Sequence, residues 1–289
     1  MSFDIEHLRS WIGRTETAED VITPRLAAEY RATLAPHLAP MPPTEAPLGL
    51  QWCLTPAVAA QDQLGPDGHP ARGGFLPPVP LPRRMWAGGR IETKGALKLG
   101  DTIVRASAIE DVKLKEGRSG KLCFVTVRHG YAGADGMVVS ERQDIVYRDP
   151  PPPSDALGAP AQAVPKGAAG PFDANLIWEL EASATLLFRY SAMTFNGHRI
   201  HYDEPYVTKV EGYPGLIVHG PLQATLLFNL AAVLGGATPR VFEYRGLAPM
   251  FSPTIFRVLG RRQPDGSIQC WTEDALGRTC MEATATSWA

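Results

Sequence analysis

The residues best suited to chemistry crowd into positions 190–203, from Tyr190 through Asn196, His198, Arg199 and His201 to Asp203. Polar, titratable and glycine residues of this kind gather on loops that a rigid scaffold positions. A neutral imidazole both takes and gives a proton near pH 7, so His201 and His198 are candidates for acid/base work. A second stretch, Tyr213 to Pro221, closes with Val218-His219-Gly220-Pro221 and runs straight into an apolar segment. A helix starting there presents unpaired backbone N–H groups at the positive end of its dipole, a place for negative charge. Imidazole beside amide donors suits the addition of water across a double bond conjugated to a carbonyl. The carbonyl oxygen gains negative charge as the water loses a proton, and each donor aimed at that oxygen is worth about 3 kcal/mol.

Two helices must carry these groups. One is short and runs over residues 183–192, opened by Ser183 as a cap. The other runs from Pro221 to about Leu234. Its Leu222, Leu226, Leu227, Leu230, Val233 and Leu234 leave little polar face, so it is buried, and Gly235-Gly236 ends it. After each helical region come strand-like runs. In the first half these are 102–109, 122–129 and 138–147, separated by the glycine turns 117–120 and 133–136. In the second half they are 254–260, 267–274 and 280–288, with Pro264-Asp265-Gly266 turning the first pair. Three antiparallel strands per half after helical material give an α+β class.

The halves echo one another. Thr23 to Ala32 lies over Ser183 to Ala192, and Ile91 to Gly95 matches Phe242 to Gly246 in character. A Pro-, Ala- and Gly-rich stretch, 149–172, stands between them and cannot bury enough surface to fold alone. The expected organisation is therefore an N-terminal unit 1–148, a linker 149–172 and a C-terminal unit 173–289. The first half has no counterpart of the buried helix. Its matching region, 73–89, holds four prolines among its residues, which forbid one. The space under the first sheet is then open to a bulky ligand.

Composition narrows the function classes. The chain has 289 residues, 44% of them hydrophobic, and a formal net charge of -2, which argues for a real core and against a nucleic-acid partner. No apolar run approaches the roughly 20 residues of a membrane span. The acidic start Met1–Glu6 lacks a signal-peptide layout. Cys53, Cys123, Cys270 and Cys280 show neither paired nor zinc-type spacing. They read as unpaired thiols of a reducing cytoplasm, with no metal expected.

The segment 190–203 resembles the active-site segment of the MaoC-like (R)-specific enoyl-CoA hydratases, and 215–221 is similar to their later Gly-x-x-x-His-Gly segment. Phe195 to Asp203 together with Gly74 to Trp86 resembles the double hot-dog branch that contains mesaconyl-CoA and itaconyl-CoA hydratases. The resemblance covers nearly the whole chain. It implies two hot-dogs side by side, each a curved antiparallel sheet around a helix, with the first helix degenerate. It also implies hydration or dehydration of a short branched enoyl-CoA, dicarboxylic in kind, such as mesaconyl-CoA to citramalyl-CoA. Thioester hydrolysis and non-catalytic acyl-thioester binding are the competing functions. His201 falls on the family's catalytic His, and Gly220 on its oxyanion-hole amide. Asn196 stands where most members have a catalytic Asp. An amide can hold a water but cannot take its proton, so Asn196 is assigned to positioning. Arg199 replaces the usual Pro and is the expected clamp for a substrate carboxylate. Tyr190, Val218 and His219 are expected to shape the substrate site, with His219 packing or capping near the helix start. Asp203 would orient His201 or hold backbone amides. Arg83, Arg84 and Arg245 are further cations that could meet phosphate. Met41 is near the position matching His201, so one active site per chain is expected. The thioester is substrate, so no cofactor is implied, and a homodimer is the expected assembly.

Overall fold

Alternation of half-buried and exposed side chains marks the edge strands at Thr15–Val21 (β1) and Leu176–Glu181 (β6). Between those edges lie β2 (Arg83–Thr93), β3 (Thr102–Gly117), β4 (Gly120–Gly133) and β5 (Gly136–Arg148), then β8 (Pro239–Gly246), β10 (Ile255–Arg262), β11 (Ile268–Glu273) and β12 (Thr279–Trp288). All ten join one antiparallel sheet in the order β1-β3-β4-β5-β2-β8-β12-β11-β10-β6. A small pair, β7 (Leu216–Ile217) and β9 (Phe251–Ser252), stands apart. The helices are α1 (Ile5–Arg9), α2 (Pro24–Leu34), α3 (Ala184–Met193), α4 (Glu204–Lys209) and α5 (Gly220–Gly235). This computed structural model describes residues 3–117, 120–149 and 174–288. The expected linker, apart from Asp149, and turn residues Arg118 and Ser119 lie outside the described residues.

Read inward from either edge, the sheet runs through the same five strands in the same order. The two series meet where β2 pairs with β8, with Ile91 opposite Phe242. These are the first residues of the two segments that the sequence matched. The helices α2 and α3 also correspond. Thr23 accepts a hydrogen bond from the Leu26 amide at one N-terminus, and Ser183 accepts one from the Leu186 amide at the other. Each half thus has five strands in the large sheet, where the sequence reading had three. The four missed strands include both edges, β1 and β6, and both junction strands. The junction strand β2 carries Gly88 and Gly89, which weaken a strand signal. A side chain at Gly89 would collide with Tyr244, so this pairing across the halves needs glycine there.

The α5 helix runs apolar on nearly every side and is buried along almost its whole length. It packs against β8, β10, β11 and β12 and ends at Gly236, whose φ of 77° suits glycine. A Cβ at Gly260 would lie 2.3 Å from Leu230, so β10 approaches the helix closely at that point. Asn229, fully buried in α5, holds the first half. Its amide donates to the Leu48 carbonyl and its oxygen accepts from the Ala39 amide, both at 3.0 Å. The first half places no such helix against its sheet. Residues 35–82 contain only short 3-10 turns at Leu50–Cys53 and Gln61–Gln63. All four cysteines are buried free thiols. Among the described residues, no helix is long and apolar enough to cross a membrane.

Candidate active site

A cleft of about 1530 Å³ occupies the space under the first sheet and opens onto the start of α5. Both halves line it. Asn196, His198, His201, Val218 and Gly220 come from the second half, and His69, Arg84 and Trp86 from the first.

His201 sits in a short 3-10 turn, Arg199–His201, and is 7% exposed. Its Nδ1 is 2.7 Å from the Ile217 carbonyl oxygen. A carbonyl only accepts, so Nδ1 carries the proton and Nε2 keeps its lone pair. Burial pushes the imidazole down to about 4, against the upward pull of the Ile217 carbonyl. The ring is therefore neutral at pH 7, the form of a base. It stacks on His219 with centroids 3.6 Å apart. His219 immediately precedes Gly220, the first residue of α5, whose N–H has no partner inside the helix. The imidazole and the amide-bearing helix start therefore share one wall of the cleft.

His219 is fully buried, and burial holds it well below the ordinary histidine range. It occupies the cap position, but its ring makes no capping bond. Its Nε2 meets the Ser191 hydroxyl at 2.8 Å instead. The packing expected of His219 is present and the side-chain cap is absent. Val218 is buried and ties its amide to the Met250 carbonyl. Tyr190 lines the cleft, is fully buried and turns its hydroxyl to Thr225 on α5 at 3.4 Å.

Asn196 uses its side-chain oxygen to accept from the His198 amide at 3.0 Å, which shapes the turn. Its side-chain nitrogen makes no hydrogen bond among the described residues, while its backbone amide donates to the Ser191 carbonyl at 2.8 Å. Arg199 is held by its neighbours. Its Nε and Nη2 both donate to Asp203, its Nη1 donates to the Pro66 carbonyl, and its plane lies 4.0 Å from the Tyr206 ring centroid. Asp203, Pro66 and Tyr206 thus hold the guanidinium in place at the cleft lining. Asp203 caps α4 by accepting from the Tyr206 amide and pairs with Arg199. It does not touch His201. Arg83 pairs with Glu211 and Arg245 with Glu282, while Arg84 lines the cleft.

The sequence reading did not single out Asp67 and His69. Their loop meets the catalytic loop at Gly68 and Gly197, where a Cβ on Gly68 would lie 1.9 Å from the Gly197 carbonyl oxygen. The Arg199 amide bonds the Asp67 carbonyl at 2.9 Å. His69 Nδ1 donates to the Asp67 carboxylate at 3.1 Å, and its ring lies 4.0 Å from that of His198. Burial raises the Asp67 carboxyl, but its bonds to His69 and the Arg84 charge outweigh this and bring it down to about 2. Burial and then Arg84 press His69 down to about 4, and burial with His69 holds His198 far below the usual range. Asp67, His69 and His198 each bring one potential ligand atom within 4.8 Å of the others. The Asp67–His69 hydrogen bond and the nearby Arg84 cation weigh against a metal there. The one signal in the sequence was Gly65-Pro66-Asp67-Gly68-His69-Pro70, a turn that carries two titratable groups.

Comparison with known proteins agrees with this geometry. A family profile described as hydroxyacyl-thioester dehydratase type 2 matches residues 49–252. A mesaconyl-C(4)-CoA hydratase from Chloroflexus aurantiacus is 42% identical over 277 residues, which is 95% of this chain and 96% of that protein. Among solved structures, a MaoC-like dehydratase from Phytophthora capsici superposes with a TM-score of 0.66 at 14% identity, covering 99% of each chain. A Mycobacterium tuberculosis protein described as having a double hotdog fold gives a TM-score of 0.59 at 14% identity, covering 95% of each chain. Fold and relatives together define a double hot-dog hydro-lyase. The chain belongs to the hydroxyacyl-thioester dehydratase type 2 family.

Proposed function

We propose that the chain reversibly hydrates a short, branched, dicarboxylic enoyl-CoA, as in the conversion of mesaconyl-CoA to citramalyl-CoA or the turnover of itaconyl-CoA. The observation that carries this reading is His201. Its Nδ1 proton is committed to Ile217, its Nε2 lone pair is kept, and its ring stacks on the residue before Gly220. In this reading Asn196 donates from its side-chain nitrogen to a water, and Nε2 of His201 takes that water's proton as its oxygen attacks the β-carbon. The Gly220 amide receives the charge that collects on the thioester oxygen. The imidazolium then returns the proton to the α-carbon, so atoms and charge balance without a resident cofactor. The relative from Chloroflexus aurantiacus supports the substrate class. Its name carries a CoA thioester whose acyl group is a branched unsaturated diacid.

Tyr190, Val218 and His219 set the shape around the acyl group. The N-terminal unit, about 1–148, accommodates substrate and the C-terminal unit, about 173–289, supplies the chemistry. A homodimer in the cytoplasm completes the reading. The edges β1 and β6 are available to a second copy, and light scattering on the purified protein tests the assembly. The function is tested by following enoyl-thioester absorbance and free thiol together, with mesaconyl-, itaconyl- and crotonyl-CoA. Loss of absorbance without thiol release is expected. Thiol release with the double bond intact would make the chain a thioesterase, and no change on any substrate would leave an acyl-thioester binding protein.

A further inference from the structure

A thioester oxygen on the Gly220 amide puts the first carbons of its acyl group close to the ring that covers Gly220. That ring is Trp86, carried by the first half. A Cβ added at Gly220 would lie 3.4 Å from the Trp86 ring and 3.7 Å from the Trp86 Cβ. Trp86 ends a regular stretch of β2. Arg84, Met85 and Trp86 face Tyr147, Val146 and Ile145 on β5 in unbroken register, and the register shifts only between Trp86 and Gly88. Such a bulge re-aims the side chain beside it. From Gly88 onward β2 also pairs with β8 of the other half. Trp86 therefore stands at the seam between the halves, against the start of α5.

Two further rings fix it there. Trp52 lies 5.3 Å from Trp86 with the planes at 88°, and Tyr244 lies 5.2 Å away at 67°. Trp52 and Tyr244 also meet each other edge-on, at 6.1 Å and 84°. Edge-to-face contacts of this kind favour one arrangement of the rings over others. A single carboxyl ties the two supporting rings together. Glu141 is fully buried and accepts from Trp52 Nε1 at 2.9 Å and from the Tyr244 hydroxyl at 3.4 Å. The backbone at Gly89 closes on the same hydroxyl, because a Cβ there would lie 2.4 Å from it.

The layering decides what a ligand meets. Trp52 and Trp86 are half-buried and line the cleft, whereas Tyr244 and Glu141 are buried behind them. Trp52 belongs to the 3-10 turn Leu50–Cys53, and Leu50 and Cys53 of that turn are packed into the core. The wall beside Gly220 therefore has a fixed backing. A wall of this kind resists added atoms, because a close-packed interior has no free volume to give up.

We propose that Trp86 is the specificity-determining residue for acyl length. Its ring closes the pocket beside Gly220, so that a short acyl group fits and a long straight chain is turned away. The inference rests on the hydratase reading for the place of the thioester oxygen, and it adds the residue that limits the acyl group. That limit comes from the first half, while the proton transfers stay with the second.

The test is a chain-length series on the full-length protein. Dissociation constants for butyryl-CoA and octanoyl-CoA are measured by calorimetry in wild type, Trp86→Ala and Trp86→Leu. Two buried methylenes alone are worth about 10-fold in affinity. Wild type should nonetheless prefer octanoyl-CoA over butyryl-CoA by less than about 3-fold, because the extra methylenes find no place to be buried. Trp86→Ala should raise that preference about 10-fold or more, and Trp86→Leu by a smaller factor. Turnover of octenoyl-CoA relative to crotonyl-CoA should rise in parallel. Binding reads the pocket whether or not a thioester turns over. Failure of the hydratase reading therefore shows separately, as inactivity of wild type on mesaconyl-, itaconyl-, crotonyl- and octenoyl-CoA. Circular dichroism checks the fold of both variants, and the wild-type series stands without them. A wild type that prefers octanoyl-CoA by more than the stated margin, or a folded Trp86→Ala whose preference is unchanged, would overturn the assignment.

Discussion

The two halves build the same five-stranded sheet and fill it differently. The second packs a 16-residue helix into its sheet, and the helix start becomes the amide end of the reaction site. The first leaves that volume as a cleft. In the proposed reading the helix-bearing half holds the reacting groups, and the helix-less half meets the acyl group. The same five-stranded unit is filled by a helix in one half and left open in the other.

Five substitutions would break or sharpen this contrast. The largest effect is expected from His201→Ala. It should lower kcat by at least about 100-fold on every substrate, the low end for general acid–base catalysis, with the fold checked by circular dichroism. A uniform loss ties the chemistry to the second half, whereas a loss confined to one acyl group would make His201 a recognition residue. Next is the core. Leu227→Ala, fully buried in α5, should cost about 2–5 kcal/mol in urea unfolding. Gln143→Ala, on the cleft face of the first sheet, should cost less than about 1 kcal/mol. Similar costs would remove the structural difference between the halves. Asn229→Leu should follow at about 2–3 kcal/mol, because it strands the Ala39 amide and leaves the Leu48 carbonyl with Tyr30 as its one remaining side-chain donor. The smallest effect belongs to Asp67→Asn. Exchanging the ionised partner of His69 for a neutral one should cost about 1 kcal/mol of stability and leave kcat within about 10-fold. A collapse of activity there would move part of the chemistry into the first half.

Sequence reading succeeded where a signal was local. The buried helix announced itself through leucines on all sides and a double glycine at its end. The caps Thr23 and Ser183 were legible, as was the glycine turn between β4 and β5. The missing helix was legible too, since prolines between Gly73 and Gly89 exclude it. What escaped was long-range. Nothing within positions 65–70 says that Gly68 will press against Gly197 and bring His69 beside His198. Arg199 was placed in the right loop, but its pairing with Asp203, four residues along, was not read. The edge and junction strands were missed because edge alternation is weak and Gly88 and Gly89 interrupt the pattern of β2.

The decisive observation concerns the protonation of one ring. In protein labelled with 15N at histidine and titrated by NMR, His201, assigned by its loss in His201→Ala, should be neutral at pH 7 with the proton on Nδ1. It should begin to take a second proton only as the pH falls toward about 4. The lone pair on Nε2 is then present throughout the neutral range, and the acidic limb of kcat/KM should fall in the same low window. A His201 that is already imidazolium at pH 7, or that carries its single proton on Nε2, could not accept a proton from water and would contradict the account.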